Sequence, residues 1–145
     1  MIRFVKNEDW GPWKVLWQGY LDFYREELPE DVSRRTFERL RDQRDGLFGL
    51  VAETDEGELV GIANALVHPT TWSEAGYCYL EDLFVTPQAR GSGRGQALIE
   101  AVLSEARRRG VVKVYWHTQE FNGPARSLYD LLAKRVSFVV YEHAL

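Results

Sequence analysis

A chain of 145 residues with 45% hydrophobic and 28% charged residues has the size and make-up of one folded domain, not of a disordered segment. No apolar run approaches the roughly 20 residues of a membrane span, and a net charge of −4 disfavours a general nucleic-acid binder while mildly favouring a cationic substrate. Cys78 is the only cysteine, so there is no internal disulfide and no cysteine zinc cluster; with no signal-peptide apolar region across Met1 to Glu8, the reducing cytoplasm is the expected location.

No repeat, low-complexity stretch or linker interrupts the chain, so residues 1–145 read as a single domain. Ile2-Arg3-Phe4-Val5 is a plausible first strand. Trp10, Trp13, Leu16, Trp17, Tyr20, Leu21 and Tyr24 then recur at helical spacing, and this aromatic stripe reads as core rather than as a ligand cage. Pro29 ends that region, and Ser33 has the character of an N-cap for a second helix carrying Phe37 and Leu40. Leu47 to Thr54 and Leu59 to His68 read as strands joined by the turn Asp55-Glu56-Gly57-Glu58. The stretch from His68 to Ser73 reads as a loop, and Tyr77 to Val85 as a fourth strand. A long helix carries Ala97, Leu98, Ala101, Val102 and Ala106. Val112 to Thr118 reads as a strand, Asn122 to Tyr129 as a loop and short helix, and Val136 to Tyr141 as a final strand. The order β-α-α-β-β-β-α-β-α-β describes an α/β fold with a mixed sheet and helices on both faces.

Between the fourth strand and the long helix stands Arg90-Gly91-Ser92-Gly93-Arg94-Gly95-Gln96. A glycine-rich turn opening a helix directs several backbone N–H groups to one point beside the positive end of the helix dipole, an arrangement suited to phosphate. Arg90 and Arg94 add charge-assisted donors. A nucleotide P-loop is excluded, since Gln96-Ala97 stands where lysine and a hydroxyl residue would be required. A dinucleotide fingerprint is excluded as well, because Gln96 or Leu98 occupies its third small position.

The Arg-x-x-Gly-x-Gly pattern resembles the signature of the GNAT family of N-acetyltransferases, whose turn holds the pyrophosphate of coenzyme A. The later run Asn122-Gly123-Pro124-Ala125-Arg126-Ser127-Leu128-Tyr129 is similar to that family's Asn-x-x-Ala-x-x-Leu-Tyr motif. Leu80-Glu81-Asp82-Leu83-Phe84-Val85 resembles the polyamine and thialysine acetyltransferases, while Val114 to Thr118 and Phe138 to Glu142 look closer to the yeast histone- and polyamine-acetylating branch. One departure is Ala133-Lys134-Arg135-Val136, standing where the family usually has Gly-Phe, at the wall of the acceptor pocket.

The resemblance implies a GNAT fold with a mostly antiparallel sheet, acetyl-CoA as cofactor and a homodimer. It also implies cofactor contacts at Leu83, Phe84 and Val85, along Arg90, Gly91, Ser92, Gly93, Arg94, Gly95 and Gln96, and at Asn122, Ala125 and Tyr129. Leu83 or Phe84 would turn a backbone N–H toward the acetyl carbonyl at a bulge. Alternation alone would send Glu81 and Asp82 to opposite faces of the strand.

An alkylammonium acceptor, with a pKa near 10.4, needs a proton acceptor before it can attack a thioester. Glu81 is the candidate base, directly or through water, with Glu81 and Asp82 as solvated or salt-bridged surface carboxylates the other reading. Tyr129 is the candidate acid, because a phenol remains protonated where a carboxyl is ionised and can protonate a departing thiolate. Asp82, His117, Glu26 and Glu27 are candidates for acceptor recognition. For His117 a hydrogen-bonded filler role is equally open, and for the two glutamates a solvated helix end is. His68 and His143 have no partner spacing, and no metal site is expected. The expected activity is direct acetyl transfer from acetyl-CoA to a primary amine of a small cationic acceptor such as a polyamine or amino acid, with no nucleic-acid or membrane partner. A protein-lysine acceptor and a catalytically silent acyl-CoA sensor are the alternatives.

Overall fold

Alternation along the central strands decides the architecture. In β2 (Leu47–Glu53), Phe48, Leu50 and Ala52 point into one hydrophobic cluster while Val51 joins another on the opposite face. A sheet that is apolar on both faces must be covered on both. α1 (Trp10–Phe23) and α2 (Glu30–Arg41) cover one face through Trp13, Leu16, Trp17, Phe37 and Leu40. α3 (Arg94–Arg108) covers the other through Leu98, Ile99, Val102 and Ala106, joined by Leu128, Tyr129 and Leu132 of α4 (Gly123–Leu132). The computed structural model describes residues 1–145.

One sheet runs in the order β1-β2-β3-β4-β5, with β1 at Ile2–Phe4, β3 at Leu59–Thr70, β4 at Ser73–Val85 and β5 at Val114–Tyr115. Neighbours pair antiparallel except β4 and β5, which pair parallel. The short β1 is anchored by Arg3, whose guanidinium donates to Asp9 at 2.7 and 2.9 Å and to Glu53 at 2.5 Å. This ties the start of the chain to the approach of α1 and the end of β2.

The order of elements through α4 is the expected one, and four local expectations change. Ser33 is not a cap: α2 begins at Glu30, directly after Pro29, with Glu30 and Asp31 in its first turn where the helix dipole favours them. Ser33 is buried and accepts a hydrogen bond from Trp17 Nε1 at 3.0 Å, so tertiary packing claims it. The stretch His68 to Ser73 is mostly strand, with Thr70 paired to Ser73 and only Thr71 and Trp72 turning. Pro69 is accommodated at an irregularity in the pairing, where its missing N–H costs no ladder bond. β5 is two residues long instead of seven. The expected strand from Val136 to Tyr141 is absent: it has no partner in the sheet, and without a paired edge β-propensity alone makes no ladder.

Candidate active site

Two interruptions of regular pairing open a cleft in the sheet. In β4, Leu80 stands opposite Ala65 and Asp82 opposite Asn64, so Glu81 is an extra residue in the register. This bulge changes which face each neighbour meets. Leu80 belongs to the cluster on the α3 side, whereas Asp82 turns to the α1 side to meet Asn64 and Tyr20. The second interruption is the end of β5: its pairing stops at Tyr79 opposite Tyr115, so the backbone from Leu80 to Val85 has no strand on its outer side.

The gap is lined by Leu80, Glu81 and Leu83 on one wall, by Trp116 and His117 on the other, by Tyr129 from α4 and by Tyr20 and Tyr24 from α1. Gly19 makes that approach of α1 possible, since a Cβ there would stand 2.7 Å from Phe84 Cζ. Glu81 is exposed. Asp82 is only 8% exposed and accepts a hydrogen bond from Asn64 Nδ2 at 3.1 Å, with Tyr20 of α1 nearby. Burial pushes the Asp82 carboxyl up to about 6, against the pull of the Asn64 bond and of the nearby Tyr20 and with the help of the Glu81 charge. Tyr20 and Tyr24 are raised above the usual phenol range, first by burial and then by Asp82. Burial also raises Tyr129, with Tyr24 adding to it, so its phenol keeps its proton at neutral pH. Trp116 holds the Tyr129 ring edge-on at 5.6 Å. His117 Nδ1 lies 3.3 Å from the Tyr79 hydroxyl.

The turn that opens α3 follows β4 in the chain. Gly91 and Gly93 adopt left-handed backbone at φ 77° and 79°, and the space where a Cβ would stand is open at both. Gly93 supplies no side-chain cap, and the turn's first carbonyl bond into the helix is Ala97 N–H to Gly93 O at 2.9 Å. The preceding N–H groups of a helix's first turn have no partner within the helix. Arg90 Nε donates to Val85 O at 3.1 Å and Arg94 Nη1 to Glu53 O at 3.2 Å, which fixes both guanidinium groups beside the turn with further N–H groups to spare. Ser92 Oγ donates back to Ala89 O. An open, glycine-formed cradle of unclaimed N–H groups flanked by two arginines fits the pyrophosphate of coenzyme A. Gly95 lies across from Val85 and Leu128. Asn122 precedes α4 and donates to Thr118 Oγ1 at 3.4 Å, with the half-buried Ala125 one turn before Tyr129.

The structure therefore gathers Glu81, Leu83, His117 and Tyr129 into one cleft and leaves Asp82 behind its wall. Glu26 and Glu27 lie apart, on a shallow open hollow with Asp22 and Arg25 at the turn after α1. Tyr20, Tyr24, Leu80, Trp116 and Asn64 had no place among the expected site residues. The aromatic stripe of α1 carried the signal for two of them: its tryptophans enter the core, while its last tyrosines, with hydroxyls that need partners, emerge at the cleft. Cys78 is buried on the α3 face, where burial pushes its thiol up to about 11, and it does not line the cleft.

The Acetyltransferase (GNAT) family matches residues 13–132. D-amino-acid N-acetyltransferase HPA3 of Saccharomyces cerevisiae is 35% identical over 143 residues, covering 98% of this chain and 89% of the yeast protein. The uncharacterized N-acetyltransferase YhfO of Bacillus subtilis is 30% identical, covering 89% of this chain and 85% of its own. Among solved structures, AAC(6')-Iy in complex with the bisubstrate analogue CoA-S-monomethyl-acetylneamine superposes with a TM-score of 0.85 at 22% identity, covering 100% of this chain and 97% of the other. The expected α/β fold is thereby established, and the cleft and cradle have the family that explains them: the chain belongs to the GNAT acetyltransferases and is an acetyl-CoA-dependent N-acetyltransferase.

Proposed function

We propose that this enzyme passes acetyl directly to the primary amine of a small cationic acceptor, an amino acid or polyamine being the chemical class. The observation that carries this reading is the carboxylate of Glu81 exposed in a cleft walled by tyrosines and tryptophan. A carboxylate draws an ammonium, and aromatic faces receive both cations and apolar side chains. The yeast relative's description as a D-amino-acid N-acetyltransferase supports an amino acid among these acceptors. Acetyl-CoA supplies the activated acyl thioester. Glu81 takes a proton from the amine through water, a backbone N–H at Leu83 or Phe84 receives the acetyl carbonyl, and Tyr129 protonates the departing thiolate. The buried, high-pKa thiol of Cys78 supports direct transfer over a covalent relay. His117 faces the same cleft on the acceptor side. Asp82 acts from behind the wall, and Glu26 and Glu27 only at a distance, through their charge.

The deciding experiment is thiol release from acetyl-CoA across a panel of amines, polyamines and both enantiomers of the amino acids. Release with a small cationic amine supports the reading, whereas release only with a lysine-bearing protein would replace it.

We also propose that the enzyme works in the cytoplasm as a homodimer. No helix is long and apolar enough to cross a membrane. The dimer is supported by two unmet features of one chain: the outer edge of β5 carries no strand, and the apolar tail from Val136 to Tyr141 has no sheet.

A further inference from the structure

The cleft carries one acidic and one basic side chain at matched places. The last pair between β4 and β5 is Tyr79 opposite Tyr115, and Glu81 and His117 each stand two residues beyond it, on opposite walls of the gap. Apart from these two the cleft is lined by aromatic residues and leucines, so His117 is its one basic group. That imidazole is held in place. Its Nδ1 lies 3.3 Å from the Tyr79 hydroxyl, and the two ring centroids are 5.2 Å apart. Burial, and then the charge of Glu81, raise Tyr79 above the usual phenol range, so its hydroxyl keeps its proton at neutral pH. A phenol both donates and accepts. It serves Nδ1 as donor to the neutral ring and as acceptor from the cationic one, and in both arrangements Nε2 carries an N–H for a ligand. Tyr79 is braced in turn, its ring stacked on Tyr115 at 4.9 Å and 12°. The Tyr115 hydroxyl lies 2.7 Å from His68 Nε2, and His68 Nδ1 lies 2.8 Å from Pro69 O. A carbonyl oxygen only accepts, so His68 donates to it from Nδ1, and the neutral ring receives the Tyr115 hydroxyl at Nε2.

We infer that His117 receives the carboxylate of an α-amino acid acceptor, its Nε2–H donating to a carboxylate oxygen while the amine one carbon away faces Glu81, and that Tyr79 is the positioning residue that aims it. The inference rests on the amine acetylation proposed above and selects amino acids from the two acceptor classes named there. An α-amino acid is a zwitterion whose opposite charges are separated by a single carbon. A gap with a carboxylate on one wall and an imidazole on the other complements that pair. A polyamine offers only cationic groups, and it would meet His117 as a like charge or leave its N–H unpaired. The acceptor's side chain is left to the aromatic wall of Tyr20, Tyr24 and Trp116. Glu81 keeps the proton-accepting role, since His117 holds the carboxylate end of the acceptor and takes no proton from its amine.

The test sets the best amino acid of the panel against the amine that remains when its carboxylate is removed (phenethylamine for phenylalanine), by thiol release from acetyl-CoA. The two acceptors differ in basicity, but that difference cancels when the ratio of their kcat/KM values is compared between wild type and variant. His117→Ala should lower the amino-acid-to-amine ratio about 10- to 100-fold, the usual worth of a hydrogen bond to a charged group, with acetyl-CoA affinity by calorimetry unchanged. His117→Gln keeps an N–H donor near the place of Nε2 and should recover part of that ratio. Tyr79→Phe keeps the ring on Tyr115 and removes the hydroxyl from His117. It should raise the KM for the amino acid several-fold with little change in kcat. A ratio unchanged in His117→Ala, or a wild type that acetylates amines but no amino acid, overturns the carboxylate site and leaves the acetylation intact. A wild type that releases no thiol with any small amine or amino acid removes both.

Discussion

Tyr129→Phe retains the ring that packs edge-on against Trp116 and deletes only the hydroxyl. If that hydroxyl protonates the thiolate, turnover falls about 10²-fold or more while acetyl-CoA affinity by calorimetry stays as in wild type; near-normal turnover would make Tyr129 a packing residue. Asp82 makes the opposite kind of prediction, on stability. Its folded pKa is raised from 3.8 to about 6, so the native state holds the proton more tightly than the unfolded chain does. The stabilisation this gives is full below the unfolded value and is lost as pH rises through about 6, leaving the buried anion costing on the order of 3 kcal/mol at pH 8. Asp82→Asn should therefore melt several degrees above wild type at pH 8 and close to it at pH 4, by calorimetric scanning. A variant that melts lower at pH 8 would mean that the bond from Asn64 and the nearby Tyr20 outweigh the burial. Glu81 and Tyr129 could be read from motif spacing. Tyr20 and Asn64 could not, because their importance comes from meeting Asp82 across three elements. The placement of Asp82 itself depends on one unpaired residue that alternation does not announce.

At the level of elements, the turn before α3 carries the sharpest test. Gly93 sits at φ 79° with open space where a side chain would go, and aspartate is among the residues that tolerate left-handed backbone. Gly93→Asp should leave the circular dichroism spectrum and cooperative melting intact. It should abolish coenzyme A binding by calorimetry, because a carboxylate would occupy the place where N–H groups receive phosphate. Unchanged affinity would mean that the cradle is not the cofactor site. The same turn was legible in the sequence because glycine spacing, flanking arginines and helix periodicity are all local signals. α1, α3 and the hairpin of β2 with β3 were legible for the same reason. Where local signals and packing disagreed, packing won. Ser33 has the chemistry of a cap, yet the indole of Trp17 reaches it inside α2. The residues from Val112 to Thr118 have strand propensity, yet the chain leaves β4 after Tyr115, and that divergence is what opens the cleft.

On the scale of the whole molecule, two hydrophobic clusters lie on either side of one sheet, and the C-terminal tail stands outside both. Val136, Phe138, Val139, Val140 and Tyr141 are between 62% and 92% exposed. An exposed run of β-branched and aromatic residues is an interaction site or a liability, and an open strand edge is its natural partner. Reciprocal pairing of each tail with the β5 edge of the other copy would satisfy both features in a closed two-fold dimer, with the same contact made twice. It would also bring a second chain's residues beside Trp116 and His117, on the acceptor side of the cleft. The tail's apolar pattern was legible in the sequence, but its partner was not, since a single chain does not say whose edge a strand will join. Light scattering should therefore find wild type as a dimer, and Val139→Asp with Phe138→Asp as a monomer of unchanged helical content. Acetyl-CoA binding should survive in that monomer, because the cradle at α3 lies in one chain, while the acceptor's KM should rise. A wild type that is monomeric at all concentrations, or a double variant that remains dimeric, would assign the tail another role.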